Sequence, residues 1–284
     1  MRSFGNNISI KIDNLCVSYN DSGTDNAETI IFLHGFPLNK SIWDRQADAL
    51  KNKYRVIAYD IRGHGNSEAG IDEFFIELFV NDLVQLMNAL KIDKAVLCGL
   101  SMGGYIALSA IEKYPHRFEA LVLSDTQCMA DTPEAKEKRL KTIGHIKEKG
   151  VENYADESLK MLFAPESFIT NKEEIISVKE MIINTSKQSL FNTLIALSER
   201  KETCSSLQDI EVPVLIMAGK EDKITPPDVA RMMHEKIQNS ALNIIEHAGH
   251  LANMENPDEF NYQLEHFLDQ VFRKSYQLQA VAGN

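Results

Sequence analysis

The sequence predicts an α/β fold in which a mostly parallel, twisted sheet carries helices on both faces, and three observations lead there. Short apolar segments rich in β-branched and aromatic residues recur along the chain, separated by longer stretches of helical period, the alternation that βαβ units produce. Those segments are apolar almost without interruption, as strands covered on both faces must be. One long stretch, residues 129–206, breaks the pattern: it is rich in Lys and Glu, places apolar residues at helical spacing and contains no convincing strand.

The elements follow in order. Ile8–Ile12 and Leu15–Tyr19 flank Asp13-Asn14, which reads as the turn of a hairpin ahead of the parallel part. The parallel strands are expected at Ile30–Leu33, Tyr54–Tyr59, Lys94–Cys98, Ala120–Ser124, Pro213–Ala218 and Leu242–Ile245. Between the second and third of them, Phe79, Leu83, Leu86, Met87 and Leu90 recur every three or four residues, so one helix face packs on the sheet. The inserted stretch is punctuated by Pro133 and Pro165, and no Gly-rich linker marks it off at either end. It is therefore expected to be a helical cap (129–206) on one domain whose α/β core is formed by residues 1–128 and 207–284.

Bulk properties narrow the function. The 284 residues are 44% hydrophobic and 25% charged, an ordinary globular composition with enough chain for a substantial core. A formal net charge of −11 repels phosphate backbones and anionic lipid, so neither nucleic acid nor a membrane is an expected partner. The start of the chain, Met1 to Lys11, has no apolar core of a signal peptide, and the longest apolar runs are far too short to span a bilayer. A cytoplasmic protein is expected. Cys16, Cys98, Cys128 and Cys204 are widely scattered with no C-x-x-C pair, which suggests neither a zinc site nor a redox motif and leaves burial as their role.

The chemistry begins where the strand ending at Cys98 runs into Gly99-Leu-Ser101-Met-Gly103-Gly104, with a helical pattern from Tyr105 to Lys113. This is G-x-S-x-G between strand and helix: small residues two positions either side of the serine let neighbouring backbones approach, and the sharp turn holds the hydroxyl outward. A serine at its free pKa is a poor nucleophile and needs a base, which in turn needs an orienting group. His250 is the best-placed base, on the loop after the last strand in Glu246-His-Ala-Gly-His250, with His247 as its rival. Asp222, in Gly219-Lys-Glu-Asp222 directly after the fifth parallel strand, is the favoured acid; Glu221 and Asp125 are alternatives. Charge developing on an attacked carbonyl oxygen calls for two backbone N–H donors. Met102, at the start of the following helix, is one; Phe36, in His34-Gly35-Phe36-Pro37 after the first parallel strand, is the other, with Pro37 holding it extended and His34 bonding the loop.

With these residues in hand, the chain from about residue 25 to 272 resembles the α/β-hydrolase superfamily. His34-Gly35-Phe36-Pro37, Asp60-Ile-Arg-Gly-His-Gly-Asn-Ser67, Gly99-Leu-Ser-Met-Gly103, Asp222 and His250 stand in that chain order. It is similar in particular to small cytosolic bacterial esterases, enol-lactonases and cofactor-free perhydrolases, in which a helical cap follows the strand after the nucleophile helix. The resemblance implies an α/β-hydrolase fold, no cofactor and no metal, and a catalytic triad: Ser101 attacks, His250 transfers the proton, Asp222 orients the imidazole, and water hydrolyses the acyl-enzyme. Serine at the elbow sets the chain apart from relatives that carry aspartate there. Asp60–Ser67 reads as a structural turn.

The expected function is hydrolysis of a small-molecule carboxylic ester or lactone. A carbon–carbon bond hydrolase or perhydrolase with the same triad, and a non-catalytic ligand-binding protein on the same fold, are the alternatives. Met129, Leu159, Met161, Leu162, Phe163, Phe168, Met181, Phe191 and Leu194 either line an apolar pocket or form the cap's own core. Trp43 either walls that pocket or packs beneath it. Arg139 and Arg200 are candidates for a cationic clamp on an acidic substrate.

Overall fold

The computed structural model describes residues 7–23 and 28–282, with side chains as far as residue 273. Residues 1–6, part of the stretch read above for a signal sequence, lie outside it. A single sheet of eight strands organises the chain: β1 (Ile8–Ile12), β2 (Leu15–Asp21), β3 (Thr29–Leu33), β4 (Arg55–Tyr59), β5 (Ala95–Leu100), β6 (Phe118–Ser124), β7 (Val214–Gly219) and β8 (Ser240–Ile245), in the order β1-β2-β4-β3-β5-β6-β7-β8. The pairs β1·β2 and β2·β4 are antiparallel and all others parallel. Ile12 faces Leu15 across the first hairpin, so Asp13-Asn14 is its two-residue loop, and Asp13 takes the positive φ of 47° such a loop requires.

The helices are α1 (Asp44–Leu50), α2 (Ile76–Ala89), α3 (Met102–Lys113), α4 (Pro133–Leu162), α5 (Ser167–Thr170), α6 (Lys172–Asn184), α7 (Lys187–Ser198), α8 (Pro227–Lys236), α9 (Ala252–Glu255) and α10 (Pro257–Ala282). Helices α4 to α7 occupy the interval between β6 and β7. Thr132 opens α4 by accepting from Ala135 N–H, with Pro133 in the first turn where its missing N–H costs nothing. The path of α4 turns at Gly150, whose φ of 87° is outside the helical region. Ser186 caps α7 in the same manner as Thr132, accepting from Ser189 N–H.

Strand residues point alternately to two cores, which is why the strand sequences carry no polar face. Ile31, Leu33, Ile57, Leu97, Leu121 and Ile216 bury against one set of helices that includes Phe79, Leu83, Leu86 and Met87 of α2. Phe32, Val56, Val96, Val122 and Leu215 bury on the opposite face against residues of α1, α10 and the helices between β6 and β7. Each such side chain contributes about 1.5–3 kcal/mol when fully removed from water. Trp43 is completely buried and stacks on Phe32 with ring centroids 4.8 Å apart, so it packs beneath the sheet face and is not in the wall of the cavity that holds Ser101. Parallel pairing aligns the carboxyl ends of β3, β5, β6, β7 and β8, for example Leu33 with Gly99, Ser124 with Met217 and Gly219 with Ile245. The loops after those strands therefore gather on one edge.

The cysteines correct the expectation of simple burial. Cys98 is a buried free thiol within β5, but Cys128 and Cys204 form a disulfide with their Cα atoms 4.8 Å apart. The pair is separated by 76 residues in sequence, and Cys128 follows β6 where the chain leaves the sheet while Cys204 precedes its return. No local spacing could reveal it, because the closeness is created by the chain departing from and returning to neighbouring points. Such a bond belongs to an oxidising environment more than to a reducing cytoplasm. Replacing both with alanine is expected to lower the unfolding free energy by about 2–4 kcal/mol, since the closed loop is long; urea unfolding with and without reductant measures it, and an unchanged midpoint would contradict the bond's role. No helix among the described residues is long and apolar enough to cross a membrane.

Candidate active site

Ser101 sits between β5 and α3 at φ 53°, ψ −111°, a backbone conformation that L-residues other than a few in sharp turns avoid. The turn is held by Ser101 N–H donating to Ser124 O at 3.0 Å and by Thr126 Oγ1 donating to Ser101 O at 2.7 Å. It is possible only because Gly99 and Gly103 lack Cβ atoms. A Cβ on Gly99 would lie 2.3 Å from the Gly103 carbonyl oxygen, and one on Gly103 would lie 2.2 Å from that of Leu33. The glycines of G-x-S-x-G thus let β5, α3 and the end of β3 pass at contact distance.

His250 is buried in the loop after β8, and its Nδ1 stands 2.8 Å from Asp222 Oδ2. With Nδ1–H donating to the carboxylate, Nε2 carries the lone pair. Asp222 is fixed from its own loop: Ile224 N–H and Thr225 N–H donate to Oδ1 at 2.7 and 3.1 Å, and Thr225 Oγ1 donates to Oδ2 at 2.7 Å. Burial disfavours the charged forms of both groups, yet their mutual attraction wins. The Asp222 carboxyl is held below its ordinary range by His250 and these donors, and His250 is held above the ordinary histidine value by Asp222, with Asp125 and Glu255 adding to it. No hydrogen bond joins Ser101 Oγ to His250 Nε2, but both residues line one cavity of about 590 Å³, together with Phe36 and Met102.

The alternatives occupy different places. Asp125, also buried, accepts from Gly219 N–H at 2.7 Å and from Ser124 Oγ at 2.7 Å. Burial first, and then the Asp222 charge, push its carboxyl well above the usual range. Its bonds fasten the start of the Asp222 loop and none reaches His250. Glu221 is exposed, and His247 is exposed beside Glu166 at 3.1 Å.

Met102 is the first residue of α3, where the helix supplies no partner for an N–H. Phe36 lies in a turn closed by Leu38 N–H donating to Gly35 O at 2.9 Å, and the Phe36–Pro37 peptide is cis. His34 is buried and fully used in bonding this loop: Nδ1–H donates to Gly35 O and Nε2 accepts from Ile61 N–H, both at 2.9 Å. Burial, and His64 beside it, hold its pKa well below the ordinary value, so it stays neutral. Asp60, at the head of the Asp60–Ser67 turn, receives Lys40 Nζ at 2.6 Å and Asn66 N–H at 2.9 Å, both structural contacts.

Some supporting residues carry no sequence signal. Glu255 accepts from Gly249 N–H at 2.8 Å, Leu251 N–H at 3.3 Å, Ala164 N–H at 2.7 Å and Ser167 Oγ at 2.6 Å, clamping the His250 loop to the chain after α4. His250 N–H itself donates to Leu162 O at 2.8 Å. Of the nine apolar residues singled out between 129 and 206, Met161, Leu162 and Leu194 line the cavity, while Leu159, Phe163 and Met181 are buried in the core. Phe168 is 41% exposed. Tyr105, Tyr154, Leu197 and Ile224 add to its apolar wall. Among the described residues no group of three or more His, Cys, Asp or Glu could hold a metal ion.

The chain is 29% identical over 252 residues to 3-oxoadipate enol-lactonase 2 of Acinetobacter baylyi, covering 88% of this chain and 92% of that protein. A thermophilic esterase from Thermogutta terrifontis superposes with a TM-score of 0.89 at 30% identity, over 94% of this chain and 99% of that one. The enol-lactonase of Burkholderia xenovorans LB400 superposes with a TM-score of 0.86 at 26% identity, over 92% and 100% respectively. The family model described as the alpha/beta hydrolase fold matches residues 28–160 and 162–257, and with most of the chain inside that match the protein belongs to the α/β-hydrolase family.

Proposed function

We propose that this protein is a serine hydrolase that cleaves carboxylic ester or lactone bonds of small molecules, with Ser101, His250 and Asp222 as its triad. The carrying observation is the buried His250–Asp222 contact of 2.8 Å in a cavity that also holds Ser101 on its strained turn. Relatives named as esterases and enol-lactonases support the bond type.

In this reading Ser101 Oγ attacks the acyl carbon while His250 Nε2 takes the hydroxyl proton, and Asp222 stabilises the imidazolium that results. The carbonyl oxygen becomes an oxyanion facing the N–H groups of Met102 and Phe36, and the start of α3 favours that negative charge. Collapse breaks the bond to the leaving oxygen, which receives the proton from His250. Water then attacks the acyl-enzyme, giving its proton to His250, and Ser101 departs with that proton restored. The helices α4 to α7, set over this edge as a cap, supply apolar wall through Met161, Leu162 and Leu194.

A panel of short p-nitrophenyl esters, lactones and vinylogous diketones tests the reading. Turnover of esters or lactones that disappears in Ser101→Ala is expected; turnover of diketones alone would move the assignment to carbon–carbon bond hydrolysis. A panel left wholly untouched by active protein would remove the ester reading.

A further inference from the structure

The cavity is basic although the protein is acidic. Against a net charge of −11 for the whole chain, its walls hold Lys138, Arg139, Lys141 and Lys223 and only two carboxylates, Asp131 and Glu157. Lys141 is paired with Glu137 at 2.7 Å, one turn away on α4, whereas Lys138 and Lys223 have no ion-pair partner among the described residues. A cleft whose charge opposes that of the protein around it concentrates ligands of the opposite sign.

The Asp131 cluster makes this more than a surface effect. Asp131, with a side chain only 4% exposed, is gripped by two guanidinium groups, Arg139 and Arg200, so the cluster retains one positive charge that no member balances. Arg200 is not in the wall of this cavity: Nη1 donates to Asp131 and to Leu197 O, Nη2 donates to Met129 O at 2.9 Å, its plane lies over the Tyr105 ring at 4.5 Å, and its Nε, which has no partner among the described residues, is buried. Arg139 is. It holds Asp131 through Nε and Nη2, which leaves Nη1 without a partner among the described residues on a side chain that lines the cavity. The fork geometry of a guanidinium anchored on one carboxylate fixes the direction in which its remaining donors point.

We propose that the substrate carries a carboxylate, in its acyl or its alcohol part, which docks on Arg139, with Lys138 and Lys223 drawing it in from the mouth of the same cavity. Asp131 and Arg200 are then positioning residues that hold Arg139 in place. The apolar stretch of the substrate lies along Met161, Leu194 and Ile224 of the same cavity wall. This inference rests on the proposed ester or lactone hydrolysis and names its substrate class.

Two matched pairs test it: p-nitrophenyl hydrogen glutarate against p-nitrophenyl pentanoate for the acyl side, and 3-carboxyphenyl against 3-carbamoylphenyl butanoate for the alcohol side. The wild type is expected to favour the acid in at least one pair by about tenfold in kcat/KM, an advantage that shrinks as NaCl is raised. Arg139→Gln should reduce that acid-to-neutral ratio about tenfold, mainly through KM. Because Arg139→Gln also breaks a part-buried ion pair, the exposed Lys138→Gln and Lys223→Gln are read beside it, each reducing the ratio about threefold. No preference for the acid in either pair, while neutral esters are cleaved in a Ser101-dependent way, overturns the anion site and leaves the ester reading standing. Calorimetric titration of the same compounds into Ser101→Ala protein separates the reverse case: tighter binding of the acids supports the anion site whether or not they are cleaved, and equal binding overturns it.

Discussion

Ser101→Ala is expected to lower kcat/KM for any ester or lactone the protein hydrolyses by roughly 10⁴- to 10⁶-fold, while the protein stays folded. The size follows from the mechanism: without the hydroxyl there is no covalent route, and what survives is the assistance that Met102 and Phe36 N–H groups and simple binding give to attack by water. The fold should tolerate the change because Ser101 Oγ makes no hydrogen bond among the described residues. The turn is instead held by backbone groups and by Thr126 Oγ1, all of which the variant keeps. Alanine at φ 53° is as strained as serine, so the unfolding free energy should change by less than about 1 kcal/mol. Steady-state kinetics with a thermal melt measures both. Activity retained within tenfold would remove Ser101 from the chemistry.

The second large effect is expected from Asp222→Asn, a loss in kcat of about 10²- to 10⁴-fold accompanied by a shift in the pH profile. Only the neutral imidazole of His250 accepts the serine proton. In the wild type the buried carboxylates around the ring, Asp222 foremost, outweigh burial and hold its pKa above the ordinary value. Wild-type kcat/KM should therefore rise with pH through a midpoint above the ~6.5 of an unperturbed histidine. Removing the Asp222 charge leaves burial favouring the neutral ring, opposed by Asp125 and Glu255 alone, so the midpoint should fall even as the rate drops. The amide can also present its NH₂ to Nδ1, which stabilises the wrong tautomer for proton acceptance at Nε2. A midpoint that does not move on substitution would show that Asp222 is not the partner that sets His250.

The sheet was readable because strands buried on both faces need nearly unbroken apolar runs, and Ile30–Leu33 and Lys94–Cys98 have them. Ser101 was readable for a related reason: two backbones must pass at contact distance there, and only glycine at Gly99 and Gly103 allows it. Position in the sequence favoured Asp222 but kept Asp125 as an alternative, since each follows a strand on the same edge. They part only in three dimensions, where Asp222 bonds His250 while Asp125 fastens the Gly219 end of the neighbouring loop. Glu255, Thr225 and Lys40 were invisible because a buried polar residue reveals itself through its partners, which lie far away in sequence or belong to the backbone. Helical spacing likewise announced apolar faces between residues 129 and 206 without saying that Phe163 goes to the core and Met161 to the cavity. The arginines show the same limit. Arg139 and Arg200 were equivalent as cations in the sequence; in three dimensions both grip Asp131, but only Arg139 lines the cavity with a free donor, the unpaired Nε of Arg200 being buried.

The central claim is that Ser101 is a nucleophile activated by His250, and covalent labelling tests it without knowledge of the substrate. A fluorophosphonate probe should add one adduct per chain, mapped by peptide mass spectrometry to Ser101. The labelling rate should climb with pH in parallel with the neutral fraction of His250 and collapse in His250→Ala. Failure of the probe to label folded wild-type protein, or an adduct that maps to another residue, would contradict the account.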